Sequence, residues 1–159
     1  MTQQIRANGD QIAENRRARF DYAIADTLEA GIILTGSEVK SLRLGKGQIN
    51  SAYAGIDRDG TMKIFGMQID EYKQAGPHLQ HEPKRPRELL LKQKELKKLA
   101  AAIEREGMTL VPLKLYFTKK GKIKLLLGLA KGKKAVDKRE TIKQRDWDRE
   151  KRRTLKEKN

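Results

Sequence analysis

Residues 110–129 read LVPLKLYFTKKGKIKLLLGL. Two apolar runs, 110–117 and 123–129, flank the polar segment 118–122, in which Gly121 is available for positive φ. This pattern predicts a β-hairpin. A second hairpin is predicted upstream, where residues 51–56 and 62–69 flank Asp57-Arg58-Asp59-Gly60, because Asp-Gly between apolar runs favours a tight turn. Residues 32–34 add a short β-branched run. Several short strands with tight turns predict a mainly β fold, a small closed or nearly closed barrel.

Helical segments interrupt the strands. Thr35-Gly36-Ser37-Glu38 resembles a capping box, with Val39 and Leu42 on one face and Gly45 placed to end the helix. Pro86 opens a longer stretch in which Leu89, Leu90, Leu91, Leu96, Leu99, Ala100 and Ile103 recur at near-helical spacing, and Gly107 closes it. The cluster Leu89-Leu90-Leu91 breaks that spacing, so two shorter helices are the alternative. At 159 residues the chain suits one domain with a real core.

The formal net charge is +15 and the pI about 10.1, a field that attracts polyanions, either nucleic acid or acidic lipid surfaces. There is no cysteine, which excludes a disulfide frame, a thiol nucleophile and a thiolate metal site, and which fits a reducing cytoplasm. The first twenty residues hold no apolar run of the kind that leads a secreted chain. The longest apolar run, 125–130, is far short of the roughly 20 residues a spanning helix needs. A soluble, cytoplasmic protein without a membrane partner is expected.

The charge is concentrated at one end. Residues 131–159 carry thirteen Lys/Arg against six Asp/Glu, and their apolar residues (Ala135, Val136, Ile142, Trp147 and Leu155) form no continuous stripe. Such a segment cannot offset its own conformational entropy by burial. Yet Glu140/Lys143, Asp146/Arg149 and Asp148/Arg152 stand at helix-supporting spacings. The expectation is a tail that is disordered when free and helical when bound. An isolated Trp147 there has no core to join and suits an intermolecular contact.

Other site candidates are weak. His78, His81 and Glu82 suggest a metal site, but they sit beside Pro77 and Pro83 with no further ligand cluster, so a packing or surface role is preferred and no metal is expected. Residues 128–134, GLAKGKK, resemble a phosphate-cradling loop but have three residues between the glycines instead of four, and Lys134 where a Ser or Thr must bind Mg²⁺. That segment reads as a strand end feeding a basic linker. No triad or paired-carboxylate arrangement stands out, so a non-enzymatic chain without a cofactor is expected. The basic clusters, Asn15-Arg16-Arg17-Ala18-Arg19 and Lys119, Lys120, Lys122 and Lys124, instead favour RNA. Aromatics are too few for a strong base-stacking platform and are expected mostly in the core, so shape recognition of a structured RNA fits better.

Taken in order, Asn15-Arg16-Arg17-Ala18-Arg19, Glu29-Ala30-Gly31, residues 36–43 (GSEVKSLR), residues 85–91 (RPRELLL) and GLAKGKK followed by Asp137-Lys138-Arg139 closely resemble the SsrA-binding protein (SmpB) family. The resemblance runs from about Asn15 to the end of the chain. It implies a six-stranded antiparallel barrel of oligonucleotide-binding (OB) type with about three helices around it. A flexible segment 1–14, a barrel over 15–130 and a basic tail over 131–159 follow. The implied partners are transfer-messenger RNA, through its tRNA-like domain, and the decoding region and messenger channel of the small ribosomal subunit, with the chain as a monomer. Carried to matching positions, Asn15, Glu29, Leu90 and Lys124 would grip the tRNA-like domain, joined by Arg17 and Arg19 of the first basic cluster. Lys131, Lys133, Lys134, Asp137, Lys138, Arg139 and Trp147 would serve the ribosome-bound tail. Val136 departs from the family pattern, where an aromatic residue or His usually stands before the Asp. The competing expectation is a ribosomal or ribosome-assembly protein whose tail fills ribosomal RNA.

Overall fold

The computed structural model describes residues 10–132 and 135–157, with side chains for 10–132 and 142–155. Strand β1 (Gln11–Glu14) leads through a single helical turn, α1 (Ala18–Asp21), into the long β2 (Tyr22–Ile32). Then come α2 (Gly36–Arg43), β3 (Gly47–Gln48), β4 (Tyr53–Ile56), β5 (Met62–Phe65), β6 (Gln68–Ile69) and a 3₁₀ turn (Lys73–Ala75). The remainder is β7 (Arg87–Leu90), α3 (Gln93–Glu106), β8 (Thr109–Phe117), β9 (Ile123–Gly132) and α4 (Ala135–Glu157).

The two hairpins predicted from turn chemistry are present. β4 and β5 pair across a turn in which the Asp57 carboxylate accepts the backbone N–H groups of Asp59 and Thr61, each at 3.0 Å, and Gly60 adopts φ 80°. β8 and β9 pair across residues 118–122, closed by the Lys122 carbonyl accepting from Thr118 N–H at 2.7 Å, with Gly121 at φ 81°. Long-range pairing then closes the sheet. In the order β8-β4-β5-β7-β2-β9 each strand is antiparallel to its neighbour, and β9 returns to β8, so six strands form a ring. Closure removes the edges at which strands otherwise aggregate. β8 has a second task on its β4 side. β4 takes its Leu110 end, and β1 takes residues 114–116.

Inside the ring Leu110, Leu115, Leu125, Leu127 and Ile64 are fully buried, each worth about 1.5–3 kcal/mol of transfer free energy. Pro112, which lacks a ladder donor, sits where the β8 register slips between Pro112 and Lys114, the position in a strand that tolerates it. Helix α3 covers the barrel with Leu99 and Ala102, and Gly107 ends it in the left-handed conformation at φ 63°.

Helix α2 is more polar than its core position suggests. The capping box is real: Thr35 N–H donates to Glu38 Oε1 at 2.9 Å. Glu38 is nevertheless fully buried, as is Arg87, which donates through Nε to Glu38 Oε2. Arg85 adds a second guanidinium at 2.5 Å from Glu38 Oε1. Arg87 also donates to Met67 O at 2.8 Å and Pro83 O at 3.0 Å, so one side chain pins both ends of residues 67–83. Ser41 Oγ donates to Asp70 O at 2.6 Å in the same region.

Four expectations change. The helix does not open at Pro86: residues Arg87–Leu90 form strand β7 and α3 starts at Gln93. β7 alternates Arg87 in, Glu88 out, Leu89 in and Leu90 out, and a buried arginine at an inward position hid the period of two. The folded body starts at Gln11 instead of Asn15, because β1 pairs with β8, while residues 1–9 lie outside the described residues. The body ends at Gly132 instead of residue 130, because β9 pairs with β2 as far as Gly132 opposite Tyr22. Aromatics are less internal than expected: Phe117 is buried, but Tyr53 is 53% exposed and stacks on Phe65 at 5.4 Å.

The tail carries the 23-residue helix α4, and every described side chain on it is exposed. It meets the body at α1. A helix with so little tertiary packing gains little beyond its own hydrogen bonds. No helix among the described residues is long and apolar enough to cross a membrane.

Candidate RNA-binding surface

β2 pairs with β7 on one side and β9 on the other, and that double pairing assembles a surface that no local pattern contains. Gly31 stands opposite Leu90 in one ladder and opposite Lys124 in the other. With no side chain at 31, Leu90 and Lys124 close in: a Cβ there would lie 3.2 Å from Leu90 Cβ and 3.7 Å from Lys124 Nζ. The result is a cleft of about 370 Å³ whose lining includes Gly31, Leu90, Lys122 and Lys124. Leu90 is 53% exposed. An exposed leucine facing two lysines across β2 suits a ligand with an apolar face and negative charges, such as a nucleotide.

Glu29 lies two residues before Gly31 and so on the same face of β2. Tyr116 on β8, opposite Lys124, donates its hydroxyl to Glu29 Oε2. Burial first, then the Glu29 hydrogen bond and charge, push the Tyr116 hydroxyl pKa well above its ordinary range, so the phenol stays protonated as a donor. An oriented carboxylate accepts hydrogen bonds from base or ribose donors where phosphate would be repelled.

Glu29, Leu90 and Lys124 therefore share one wall of the barrel. Asn15 does not point there. It is buried, and its amide donates to Pro112 O at 3.1 Å while its backbone N–H donates to Leu113 O at 2.8 Å. Its role in the free chain is to tie the start of α1 to β8, which leaves Arg17 and Arg19 exposed on that turn. Lys131 is exposed at the end of β9. Lys133 and Lys134 lie outside the described residues, and Asp137, Lys138 and Arg139 fall within the α4 backbone with side chains outside them. Trp147 is 58% exposed.

The histidines separate. His81 is buried, with Nε2 at 2.9 Å from Ile69 O and Nδ1 at 2.8 Å from Ser37 Oγ. A carbonyl only accepts, so Nε2 donates to it, while Nδ1 pairs with the Ser37 hydroxyl. His78 lines a different cavity with Thr35, Lys40 and Gln74. No group of three or more metal-ligating side chains converges among the described residues. The segment GLAKGKK is strand up to Gly132, with Gly128 packed against Leu113 and Ile24, so it is no phosphate loop. Tyr116 and Gly31 were missed as site residues from sequence; the family-like segment Glu29-Ala30-Gly31 was the one signal near either.

The family model described as SmpB protein matches residues 12–157. The chain belongs to the SmpB family. An SsrA-binding protein of Parvibaculum lavamentivorans is 55% identical over 147 residues, covering 92% of this chain and 88% of the relative. Another, of Rhodopseudomonas palustris, is 62% identical over 144 residues, covering 91% and 90%. A solved structure described as "tmRNA-SmpB: a journey to the center of the bacterial ribosome" contains a chain that is 49% identical, with a TM-score of 0.62, covering 77% of this chain and 84% of that one. The six-stranded barrel and its surrounding helices are thus the family's fold.

Proposed function

We propose that this chain is a non-catalytic cytoplasmic adaptor of ribosome rescue. It binds the tRNA-like domain of transfer-messenger RNA as a monomer and delivers it to ribosomes stalled on messages without a stop codon. The observation that carries this is the meeting of Glu29, Leu90 and Lys124 around Gly31 on one barrel wall, in a chain whose relatives are SsrA-binding proteins. The barrel chooses the RNA. The tail that follows Gly132 fills the empty messenger channel through helix α4, with Lys131 at the end of β9 and Lys133, Lys134, Asp137, Lys138, Arg139 and Trp147 beyond it toward ribosomal RNA.

Affinity capture from bacterial extract followed by RNA sequencing tests the assignment. One tRNA-like RNA should dominate. Recovery of ribosomal RNA at constant stoichiometry, from stalled and unstalled ribosomes alike, would instead identify a resident ribosomal or assembly protein.

Two substitutions probe the wall. Gly31→Val is expected to weaken binding of the tRNA-like domain by roughly tenfold or more, about 1.4 kcal/mol or above, in a fluorescence anisotropy titration. Gly31 is not at positive φ and valine favours strands, but its Cβ would lie 3.2 Å from Leu90 Cβ, so β7 must give by a few tenths of an ångström and the melting temperature should fall by several degrees while the new methyl groups fill the cleft. Tyr116→Phe removes only the donor to Glu29 and should weaken the same RNA by roughly two- to tenfold, the net worth of one hydrogen bond. Unchanged affinity in both variants would place the RNA elsewhere on the barrel.

A further inference from the structure

Where the tail meets the body, three arginines and one aromatic ring converge from segments more than a hundred residues apart. Arg16, Arg17, Phe20, Ile142 and Arg145 line one cavity of about 440 Å³ between α1 and α4. The Arg17 guanidinium lies 5.8 Å from the centre of the Phe20 ring, and that of Arg145 lies 5.2 Å from it. Arg17 also pairs with Asp21 at 3.4 Å, and Arg16 approaches Glu14 at 3.8 Å, both pairs being solvent-exposed and weak. No carboxylate among the described residues lies within ion-pair distance of Arg145.

We propose that this cavity is a binding site for the phosphodiester backbone of RNA, built jointly by α1 and the tail helix and separate from the Glu29–Lys124 wall. A guanidinium that rests on a ring by cation–π attraction keeps its edge N–H groups available, and those groups match phosphate oxygens in a bidentate fork. Phe20 therefore supports both guanidiniums, of which Arg17's gives its Nε to Asp21 while Arg145's has no carboxylate partner among the described residues. Asp21 and Glu14 offset part of the charge of Arg17 and Arg16, but the cluster stays cationic, and a phosphodiester strand is the anion that the chain's +15 charge attracts. A lining of cationic groups with an aromatic support suits backbone contact without sequence preference. A phosphate bridging Arg17 and Arg145 would also fix the direction in which α4 leaves the barrel.

The test uses the full chain and a labelled oligouridylate without secondary structure, titrated by anisotropy over a series of KCl concentrations. Arg145→Gln is expected to weaken binding roughly three- to tenfold at low salt and to flatten the salt dependence by about 0.7 in log–log slope for each phosphate no longer neutralised. Phe20→Leu, which changes no charge and stays apolar, is expected to act in the same direction by releasing both guanidiniums. Lys151→Gln removes an equal charge from the same helix away from the cavity and is expected to have the smaller effect. The proposal is overturned if either Arg145→Gln or Phe20→Leu is without effect, or if Lys151→Gln matches Arg145→Gln. None of these outcomes bears on the barrel-wall site, which Gly31→Val tests with the tRNA-like domain.

Discussion

Glu38→Ala is expected to lower folding stability by about 3–5 kcal/mol, the cost of leaving a buried charge without its partner. Arg87, fully buried, would keep its donors to Met67 O and Pro83 O but lose the carboxylate on Nε. For a domain of this size the melting temperature should fall on the order of 10 °C. On an Arg87→Met background the same substitution should cost much less, with a coupling above about 1.5 kcal/mol in the double-mutant cycle. Additive losses would mean that the two side chains do not act as a pair. The acid limb gives a second readout. Burial pushes the Glu38 carboxyl up, but hydrogen bonds from Arg85, Thr35 N–H and Arg87 outweigh it and hold the pKa below its ordinary 4.5. In acid the unfolded chain thus takes up the proton before the folded one does. The contribution is complete above about pH 4.5 and is lost as pH falls through the lower folded value. In Glu38→Ala that part of the acid destabilisation should be absent.

The same ion pair explains which parts of the fold could be read from sequence. Turn chemistry is local, so Asp57–Gly60 and the Gly121 turn announced their hairpins, and Thr35 with Glu38 announced the start of α2. Glu38, however, has two tasks, and only the cap was legible. Its second task, neutralising Arg87, joins α2 to a strand 49 residues later. That strand escaped detection because its inward position carries a guanidinium where alternation demands an apolar side chain. The length of β2 was missed for a related reason: its polar Asp26 and Thr27 face solvent beside a bulge, so residues 22–32 show no clean period of two. The wall depends on register between distant strands. Glu29, Leu90 and Lys124 were named through family resemblance, and nothing around each residue says that β2 lies between β7 and β9. Tyr116 looked like a core aromatic in an apolar run, and its hydroxyl found Glu29 only through closure of the barrel.

Ending the chain at Gly132 is expected to separate the two proposed tasks most sharply. β9 would keep its full pairing with β2, from Gly132 opposite Tyr22 onward, and the described side chains of α4 contribute no buried residue to the core. The melting temperature should therefore shift by only a few degrees. The truncated chain retains the cleft at Gly31 and should bind the tRNA-like domain within a few-fold of the intact chain, the small loss reflecting twelve missing cations set against six missing anions. Tagging of nascent chains on stalled ribosomes, measured in a reconstituted translation system, should drop by a hundredfold or more, to background, a scale of about 2.7 kcal/mol or above. Simple electrostatic attraction is the rival account, because a net +6 segment alone would speed encounter with ribosomal RNA. A tail of identical composition in scrambled order separates the two. It keeps the charge but displaces Asp137, Lys138, Arg139 and Trp147 from their places along the helix. If the helix must lie in a channel with particular residues at particular turns, the scrambled tail should restore association with ribosomes and leave tagging at background. Tagging restored by the scrambled tail would reduce α4 to a polycation and remove the channel-filling role.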